Sequence, residues 1–366
     1  MTERKAVLLL ADGTSYAGAA IGPDGTSRGE AVFFTGMTGY EEALTDPSYA
    51  GQILVFCYPL IGNYGLDPAV RQHKTICAAG AAFKRVSRHP SHYRSTGNLP
   101  AWLDQSGVRG IEGIDTRALV TRLREAGTMR AVLAVGKGAI AEAVASLEEY
   151  VRQPLGTADL VASVSVSKEE DRGQGPVRVA LLDCGTKEHI AQSLMEAGAQ
   201  VLEIPFCTTF EQLLELRPDG LVISNGPGDP AELDAVVGTL RRAVEYGKLP
   251  MFGICLGHQL LAEALGAKTF KLKYGHRGAN QPVQDCRTGA VIITAQNHGY
   301  AVDAKTLPPD VEQTLVNLND GTNEGLRHTT LPISSVQFHP EASPGPADAR
   351  HFFADFVGSL RRKRAP

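Results

Sequence analysis

One cysteine stands between two glycines in the segment MFGICLGHQLL, residues 251–261. The apolar run before Cys255 is typical of a buried strand, and the leucine-rich pattern after it is typical of a helix. A sharp strand-to-helix turn projects a nucleophile, and small flanking residues let the backbones approach closely. The helix N-terminus favours a thiolate and can stabilise an oxyanion. The alternative is that Cys255 only fills space, as most free cysteines do.

A thiol with an ordinary pKa of about 8.5 is only a few per cent ionised at neutral pH, so we expect a base nearby. In QFHPEASPG, His339 and Glu341 are two residues apart at the end of an apolar run. In an extended segment such residues face the same side, so the carboxylate can hold the imidazole in one tautomer. Cys255, His339 and Glu341 are therefore a candidate nucleophile, base and orienting acid. Two alternatives remain: a surface His–Glu pair, or His258 as the base, although nothing evident in the sequence orients His258.

Two further segments offer binding groups after predicted strands. SNGPGDP, residues 224–230, is a glycine-rich turn whose backbone N–H groups could bind a carboxylate or an oxyanion, or it is a plain turn. AQNHGY, residues 295–300, offers Asn297, His298 and the Gly299 backbone, and Gln259 lies one helical turn beyond Cys255. The sequence contains no recognisable metal-binding motif and no G-x-x-x-x-G-K-[ST] phosphate loop, so we expect no metal or nucleotide site in it.

The elements that must position these residues alternate between strand and helix. Apolar runs at 177–184, 199–206, 220–225 and 249–254 predict strands, and residues 231–246 have helical spacing. Runs that are apolar throughout favour parallel strands covered on both faces. This order predicts an α/β fold for residues 177–366, with a doubly wound, mostly parallel sheet whose chemistry lies beyond the carboxyl ends of its strands.

The first part of the chain has a different pattern. KAVLLLADGTSYAGAAI predicts two strands joined at Asp12-Gly13, and DTRALVTRLREAG predicts a helix capped by Asp115 and stopped by Gly127. The polar segment SVSVSKEEDRGQGP, residues 163–176, separates the two patterns and predicts a linker. We therefore expect a separate mixed β/α domain over residues 1–165.

Length and composition agree with two domains and exclude some protein classes. The chain has 366 residues, a formal net charge of −4 and a pI near 6.2, which give no reason to expect binding to nucleic acid or an anionic membrane. Its six cysteines form no C-x-x-C pair, so neither a disulfide framework nor a zinc motif is indicated. The apolar run after Lys5 is too short for a signal peptide, so we expect a soluble, cytoplasmic protein.

Four segments together resemble class I, or triad-type, glutamine amidotransferases: GICLGHQ, NGPGDP, AQNHG and HPEASPG. In the first half, FFTGMTGYEEALTDPSYAGQIL, YPLIGNYG and GIDTRALVTRLRE resemble the amino-terminal domain of the carbamoyl phosphate synthetase small-chain family. The resemblance covers nearly the whole chain, and the combination of motifs is specific.

The resemblance implies a role for each matching residue. Cys255 would attack the side-chain amide of glutamine, His339 would carry the proton, and Glu341 would orient His339. The glutamine pocket and its oxyanion hole would be formed by Gly36, Gly226, Gly228, Leu256, Gln259, Asn297, Gly299 and Tyr300. At Gly36 some relatives have a serine, so a contact there must come from the backbone or be absent. Tyr300 replaces a familiar phenylalanine and adds a hydroxyl.

The resemblance also implies a partner. The chain would hydrolyse glutamine and pass ammonia through an internal tunnel to the carbamoyl phosphate synthetase large subunit, which would hold ATP and magnesium and use bicarbonate. This chain would need no cofactor, and its first domain would form the interface. Two alternatives stay open: a cysteine–histidine amidase that acts alone or serves another synthase, and a non-catalytic regulatory subunit. The sequence does not separate an arginine from a pyrimidine pathway.

Overall fold

The computed structural model describes residues 4–153 and 156–364 and divides the chain into two units, Met1–Leu155 and Gly156–Pro366. The division precedes the polar segment 163–176, where the sequence places the boundary. Part of that segment is a short strand, Glu170–Arg172, which pairs with strand Ala199–Pro205 of the second unit. Just before it, Val161 lies in the apolar core of the same unit. This strand is polar because it lies at the edge of the sheet.

The first unit is a closed barrel of seven strands, in the order β1-β2-β6-β5-β4-β3-β7, with β7 pairing back onto β1. Its strands are β1 Lys5–Leu10, β2 Ser15–Ile21, β3 Gly25–Phe34, β4 Gln52–Phe56, β5 Gly80–Phe83, β6 Arg109–Glu112 and β7 Met129–Val135. β1 and β2 form the predicted hairpin, and Gly13 adopts a positive φ of 85° at its turn. Neighbouring residues of β3, such as Ala31 and Val32, belong to two different apolar clusters, as the two-residue period of a strand requires.

Four helices accompany the barrel: α1 Tyr40–Thr45, α2 Leu99–Gln105, α3 Thr116–Ala126 and α4 Lys137–Arg152. The predicted α3 is confirmed, including its ends. Asp115 accepts a hydrogen bond from the Ala118 N–H at 3.0 Å, and the helix stops at Gly127. Leu119 and Leu123 are buried on one face, which fixes the helix against the barrel.

The second unit contains a ten-stranded sheet, in the order β14-β13-β15-β16-β17-β12-β11-β9-β10-β8. Its strands are β8 Glu170–Arg172, β9 Val177–Asp183, β10 Ala199–Pro205, β11 Gly220–Ile223, β12 Met251–Ile254, β13 Thr269–Asp285, β14 Val291–Val302, β15 Val311–Asn317, β16 Asn323–His328 and β17 Ile333–Val336. Strands β10, β9, β11, β12 and β17 form the predicted parallel core. Antiparallel strands extend this core at both ends.

Helices cover both faces of the parallel core: α5 Thr157–Val164, α6 Glu188–Glu196, α7 Phe210–Glu215, α8 Asp234–Tyr246, α9 Leu256–Leu265 and α10 His351–Arg364. Alternate residues of β9 and β11 face two separate apolar clusters, one with α8 and α9 and one with α6 and α10. The helix expected over 231–246 begins at Asp234, because Pro230–Glu232 forms a 3-10 turn. In the parts of the chain that the structure describes, every helix is too short or too polar to cross a membrane.

Candidate active site

Cys255 lies at the predicted junction, between the end of β12 and the first residue of α9. Its backbone has φ 54° and ψ −102°, a conformation that L-residues rarely adopt, and its N–H donates to the Val336 carbonyl at 3.0 Å. Such strain costs about 1–3 kcal/mol and persists only where the surroundings enforce it. The strained turn places the buried sulfur at the N-terminal end of α9, beside the positive end of the helix dipole.

The two glycines that flank Cys255 allow this turn. A Cβ atom on Gly253 would lie 2.5 Å from the Gly257 carbonyl oxygen, and one on Gly257 would lie 2.2 Å from the Ile223 carbonyl oxygen. Both distances are impossible without a backbone shift. The close approach of α9 to β11 and β12 therefore requires glycine at both positions, as expected from the G-x-C-x-G spacing.

His339 and Glu341 form the predicted pair, with His339 Nδ1 and Glu341 Oε1 separated by 2.7 Å. Both side chains are buried. They lie beyond the end of β17, where the His339 N–H donates to the Ala295 carbonyl at 2.9 Å. Since Nδ1 faces the carboxylate, Nε2 is the nitrogen available to exchange a proton. Nε2 is buried, and the Cys255 side chain lies close enough to interact with the His339 ring.

The charges around this pair favour a protonated imidazole. Burial alone lowers the pKa of His339, but the Glu341 carboxylate and the nearby Cys255 side chain outweigh it and hold that pKa above its usual range. Burial alone raises the pKa of Glu341, but the Lys187 ammonium and His339 hold it below its usual range. An ionised Glu341 therefore lies beside a protonated His339.

Lys187 is a residue of this site that the sequence analysis missed. Its Nζ lies 2.9 Å from Glu341 Oε1 and donates to the Ala342 carbonyl at 2.5 Å. The Lys187 backbone N–H donates to Asn225 Oδ1 at 3.1 Å, which ties this residue to the turn after β11. The available signal was position, because Lys187 follows the carboxyl end of β9, where functional groups of parallel sheets collect.

The structure places Gly226 against Leu256, the residue that follows Cys255. A Cβ atom on Gly226 would lie 2.1 Å from the Cys184 carbonyl oxygen and 2.8 Å from Leu256 Cδ2. Leu256 is the first residue of α9, so its N–H has no carbonyl partner within the helix. Gly228 has φ 96°, and a Cβ atom there would lie 2.2 Å from Thr157 Cγ2. The turn thus fits only glycine at both positions.

Other predicted pocket residues come from α9 and β14. Gln259 Nε2 donates to the Tyr300 carbonyl at 2.7 Å and to Gln337 Oε1 at 3.1 Å. Cys255 Sγ lies 3.8 Å from the Asn297 carbonyl oxygen. Gly299 stands between Asn297 and Tyr300 on the same strand. The amide N–H groups of Gln259 thus fix the β14 backbone. The position of Gln259 in the sequence, four residues after Cys255, did not reveal this role.

Gly36 and His258 were also considered from the sequence. Gly36 follows β3 in the first unit, where a Cβ atom would lie 2.5 Å from Phe34 Cζ. His258 is fully buried, and its Nδ1 lies 2.8 Å from Ser335 Oγ. Burial lowers the pKa of His258 to about 3, so its ring stays neutral at physiological pH. His258 therefore belongs to the packing between α9 and β17.

Comparison with known proteins gives two matching family models. The model described as "Glutamine amidotransferase class-I" matches residues 180–359, and "Carbamoyl-phosphate synthase small chain, CPSase domain" matches residues 8–133. The carbamoyl phosphate synthase small chain of Akkermansia muciniphila is 46% identical over 372 residues, covering 99% of this chain and 100% of that relative. The small chain of Archaeoglobus fulgidus is 47% identical over 363 residues, covering 98% and 100%. That of Symbiobacterium thermophilum is 46% identical, covering 96% and 98%.

Proposed function

The chain belongs to the family of carbamoyl phosphate synthase small chains, and on this basis we propose that its second unit hydrolyses glutamine at Cys255, with His339 as proton carrier and Glu341 as orienting carboxylate. The observation that carries the proposal is the strained, buried Cys255 at the start of α9 beside the His339–Glu341 pair. In this arrangement the Cys255 sulfur can attack a carboxamide carbon, and His339 can protonate the leaving nitrogen from the same side.

In the first half-reaction the Cys255 thiolate attacks the side-chain carboxamide carbon of glutamine. A C–S bond forms, and the carbonyl oxygen becomes an oxyanion that accepts hydrogen bonds from the Leu256 N–H and from the turn containing Gly226 and Gly228. A preorganised donor of this kind contributes about 2.7–4 kcal/mol. The His339 imidazolium then gives its Nε2 proton to the departing amine, the C–N bond breaks, and ammonia leaves a thioester behind.

In the second half-reaction water attacks the thioester carbon. His339 is now neutral, so Nε2 takes a proton from the water as the new C–O bond forms. The C–S bond breaks, glutamate leaves, and the thiolate–imidazolium pair is restored. Glu341 stays ionised throughout and stabilises the imidazolium in both halves, as the carboxylate of a catalytic triad does.

The ammonia is released for a second protein. We propose a carbamoyl phosphate synthase large subunit as that partner, with ATP and magnesium bound there and bicarbonate as co-substrate. Membership of the small-chain family supports this assignment, and so does a sequence without a phosphate-binding loop. We further propose that the pair works in the cytoplasm, that the first unit forms the interface, and that Gly36 belongs to the glutamine pocket.

The test is the Cys255→Ala variant in complex with a large subunit. We expect glutamine-dependent carbamoyl phosphate synthesis to be lost, because no thioester can form, while synthesis from added ammonium persists. The matched control is Cys286→Ala, which changes an exposed cysteine of the same unit and should leave both activities intact.

Each alternative has its own outcome. If Cys255→Ala still hydrolyses glutamine at the unmodified rate, the nucleophile is wrongly assigned. If the unmodified chain turns over glutamine equally fast with and without the large subunit, it is an amidase that acts alone. If it shows no turnover in either condition, it is a non-catalytic subunit.

A further inference from the structure

Three buried side chains lie close together on the antiparallel strands beyond β17 in the second unit. The proposed reaction assigns no role to this cluster. The three residues are His276 on β13, His298 on β14 and Glu324 on β16, and one potential ligand atom from each lies within 4.8 Å of the other two. His276 and His298 are paired residues of neighbouring strands, and their rings meet edge to face with centroids 4.9 Å apart. The sheet therefore holds two imidazoles and a carboxylate together away from water.

The ring of His276 is fixed from outside the cluster. Its Nε2 lies 2.8 Å from Asp320 Oδ2, so this nitrogen carries the proton and the carboxylate orients the ring. Its Nδ1 is buried and lies 3.6 Å from Glu324 Oε1, which is longer than a hydrogen bond but within reach of an ion pair. A histidine whose far nitrogen is held by a carboxylate, with its near nitrogen unoccupied, has the orientation found in metal-binding histidines.

The ring of His298 is oriented in the same way. Its Nδ1 lies 2.7 Å from the Tyr300 carbonyl oxygen, a backbone acceptor that requires an N–H there. Its Nε2 lies 3.1 Å from Gln296 Oε1, which is also an acceptor. A neutral imidazole has only one N–H, so with the Gln296 amide in this orientation one lone pair faces another at Nε2. A cation beside Nε2 would remove this mismatch.

Glu324 places a buried carboxyl group at the same point. The side chain is fully buried, its Oε1 accepts from Asn317 Nδ2 at 2.9 Å, and its Oε2 has no hydrogen-bond partner within residues 4–153 and 156–364. Asp320 adds a second carboxylate behind His276. The charged form of a buried carboxyl group requires a compensating cation or hydrogen-bond donors, because its hydration is lost.

We propose that His276 Nδ1, His298 Nε2 and the Glu324 carboxylate bind one divalent transition-metal ion of the zinc type. Two imidazoles and a carboxylate are zinc donors, with bonds of about 2.0–2.2 Å, and the fourth position takes a water molecule. Asp320 and the Tyr300 carbonyl are the outer partners that set the two imidazoles. The ion joins β13, β14 and β16, and β14 also carries Asn297 and Tyr300 of the candidate glutamine pocket. Its role is to hold that strand.

The competing arrangement needs no metal. A proton on His276 Nδ1 would pair with Glu324, and Gln296 turned by 180° would offer its amide N–H to His298. The sequence analysis found no metal motif because the three residues are widely separated along the chain. Only the pairing of the strands brings them together.

The test measures zinc binding directly and is independent of glutamine hydrolysis. Protein carrying Cys255→Ala, which removes the reactive thiolate as a competing ligand, is stripped with a chelator and titrated with zinc by calorimetry. We expect one ion per chain and a higher melting temperature with zinc. Asp320→Asn should weaken binding by about 10- to 100-fold, and Glu324→Gln, which removes a ligand, by more. His351→Asn, at an exposed histidine, is the control and should change nothing.

Cobalt in place of zinc identifies the donors, because thiolate ligands give an intense near-ultraviolet band that nitrogen and oxygen ligands do not. Absence of that band is expected, and its presence would assign the metal to cysteines and overturn the proposal. The proposal would also be overturned if the unmodified cluster bound no zinc, or if the Glu324→Gln protein bound zinc as tightly as its parent. If Glu324→Gln does not fold, judged by circular dichroism, Asp320→Asn decides in its place, with unchanged affinity counting against the site.

Discussion

The ammonium group of Lys187 lies 2.9 Å from Glu341 Oε1, and both side chains are almost completely buried. The same carboxylate oxygen lies 2.7 Å from His339 Nδ1, so Glu341 stands between two cationic groups. Lys187 also donates a hydrogen bond to the carbonyl of Ala342. Ala342 and the following residue, Ser343, both have a positive φ. Lys187 thus fixes both the charge and the backbone of the segment that carries the candidate base.

Replacing Lys187 by methionine should destabilise the protein. The change leaves Glu341 as a buried charge with one fewer partner, and breaking a buried ion pair in this way typically costs about 3–5 kcal/mol. Urea unfolding at pH 7.5 measures the loss. Lys168→Met, at an exposed lysine of the same unit, is the control and should change stability by less than about 0.5 kcal/mol. Equal stability of the two variants would show that Lys187 does not stabilise Glu341.

Replacing Glu341 by glutamine should reduce glutamine hydrolysis less than Cys255→Ala does, because Glu341 orients and does not react. It should also change the pH profile. The Glu341 carboxylate raises the pKa of His339, so without it the imidazolium loses its proton at lower pH. The alkaline limb of kcat/KM should therefore move to lower pH. Glu312→Gln, at an exposed carboxylate paired with Arg327, should leave the limb in place. An unmoved limb in Glu341→Gln would contradict the assigned role.

The residues that the sequence predicted well belong to local patterns. The turn at Cys255 follows from an apolar run, two glycines and a helical pattern that are contiguous. The pair His339 and Glu341 was predictable because the two residues are two positions apart, with only Pro340 between them. The cap at Asp115 and the stop at Gly127 are also contiguous signals, and α3 has the predicted bounds.

Features that depend on strand order could not be predicted in this way. Lys187 and Glu341 are far apart in sequence and meet only because β9 and β17 end on the same side of the sheet. The cluster of His276, His298 and Glu324 depends on the antiparallel strands beyond β17, for which the sequence gives no register. The polar segment 163–176 was interpreted as a linker because one edge strand has the composition of a loop.

Replacing Gly257 by alanine should displace α9 from the sheet. The new Cβ atom would lie 2.2 Å from the Ile223 carbonyl oxygen, and backbone there cannot move away cheaply. We expect a loss of about 1–3 kcal/mol in the free energy of unfolding, as for other overpacked sites. Slower alkylation of Cys255 by iodoacetamide should accompany it, because the helix N-terminus no longer meets the sulfur.

The matched control for Gly257→Ala is Gly238→Ala on α8. No heavy atom lies within 4 Å of a Cβ atom at that position, and alanine favours a helix by about 0.8–1.0 kcal/mol over glycine. This variant should be as stable as the unmodified protein or more stable. If Gly257→Ala behaved like Gly238→Ala, the close approach between α9 and β11 would not be what requires glycine.

Replacing His258 by asparagine should make stability less sensitive to acid. Burial lowers the pKa of His258 to about 3, from an ordinary value of 6.5. Between these pH values His258 binds a proton in the unfolded chain but not in the folded chain. The contribution of the neutral ring to the free energy of unfolding is therefore fully present above pH 6.5 and is lost as the pH falls. The free energy of unfolding of the unmodified protein should fall by up to about 1.4 kcal/mol per pH unit from this group, and His258→Asn should not show this part of the fall. Urea unfolding at pH 7.5, 6.0 and 5.0 measures the slope, with the exposed His351→Asn as control. If His258→Asn and His351→Asn lose stability equally between these pH values, the ring of His258 is not held neutral by burial, and its exclusion as the base loses its physical ground.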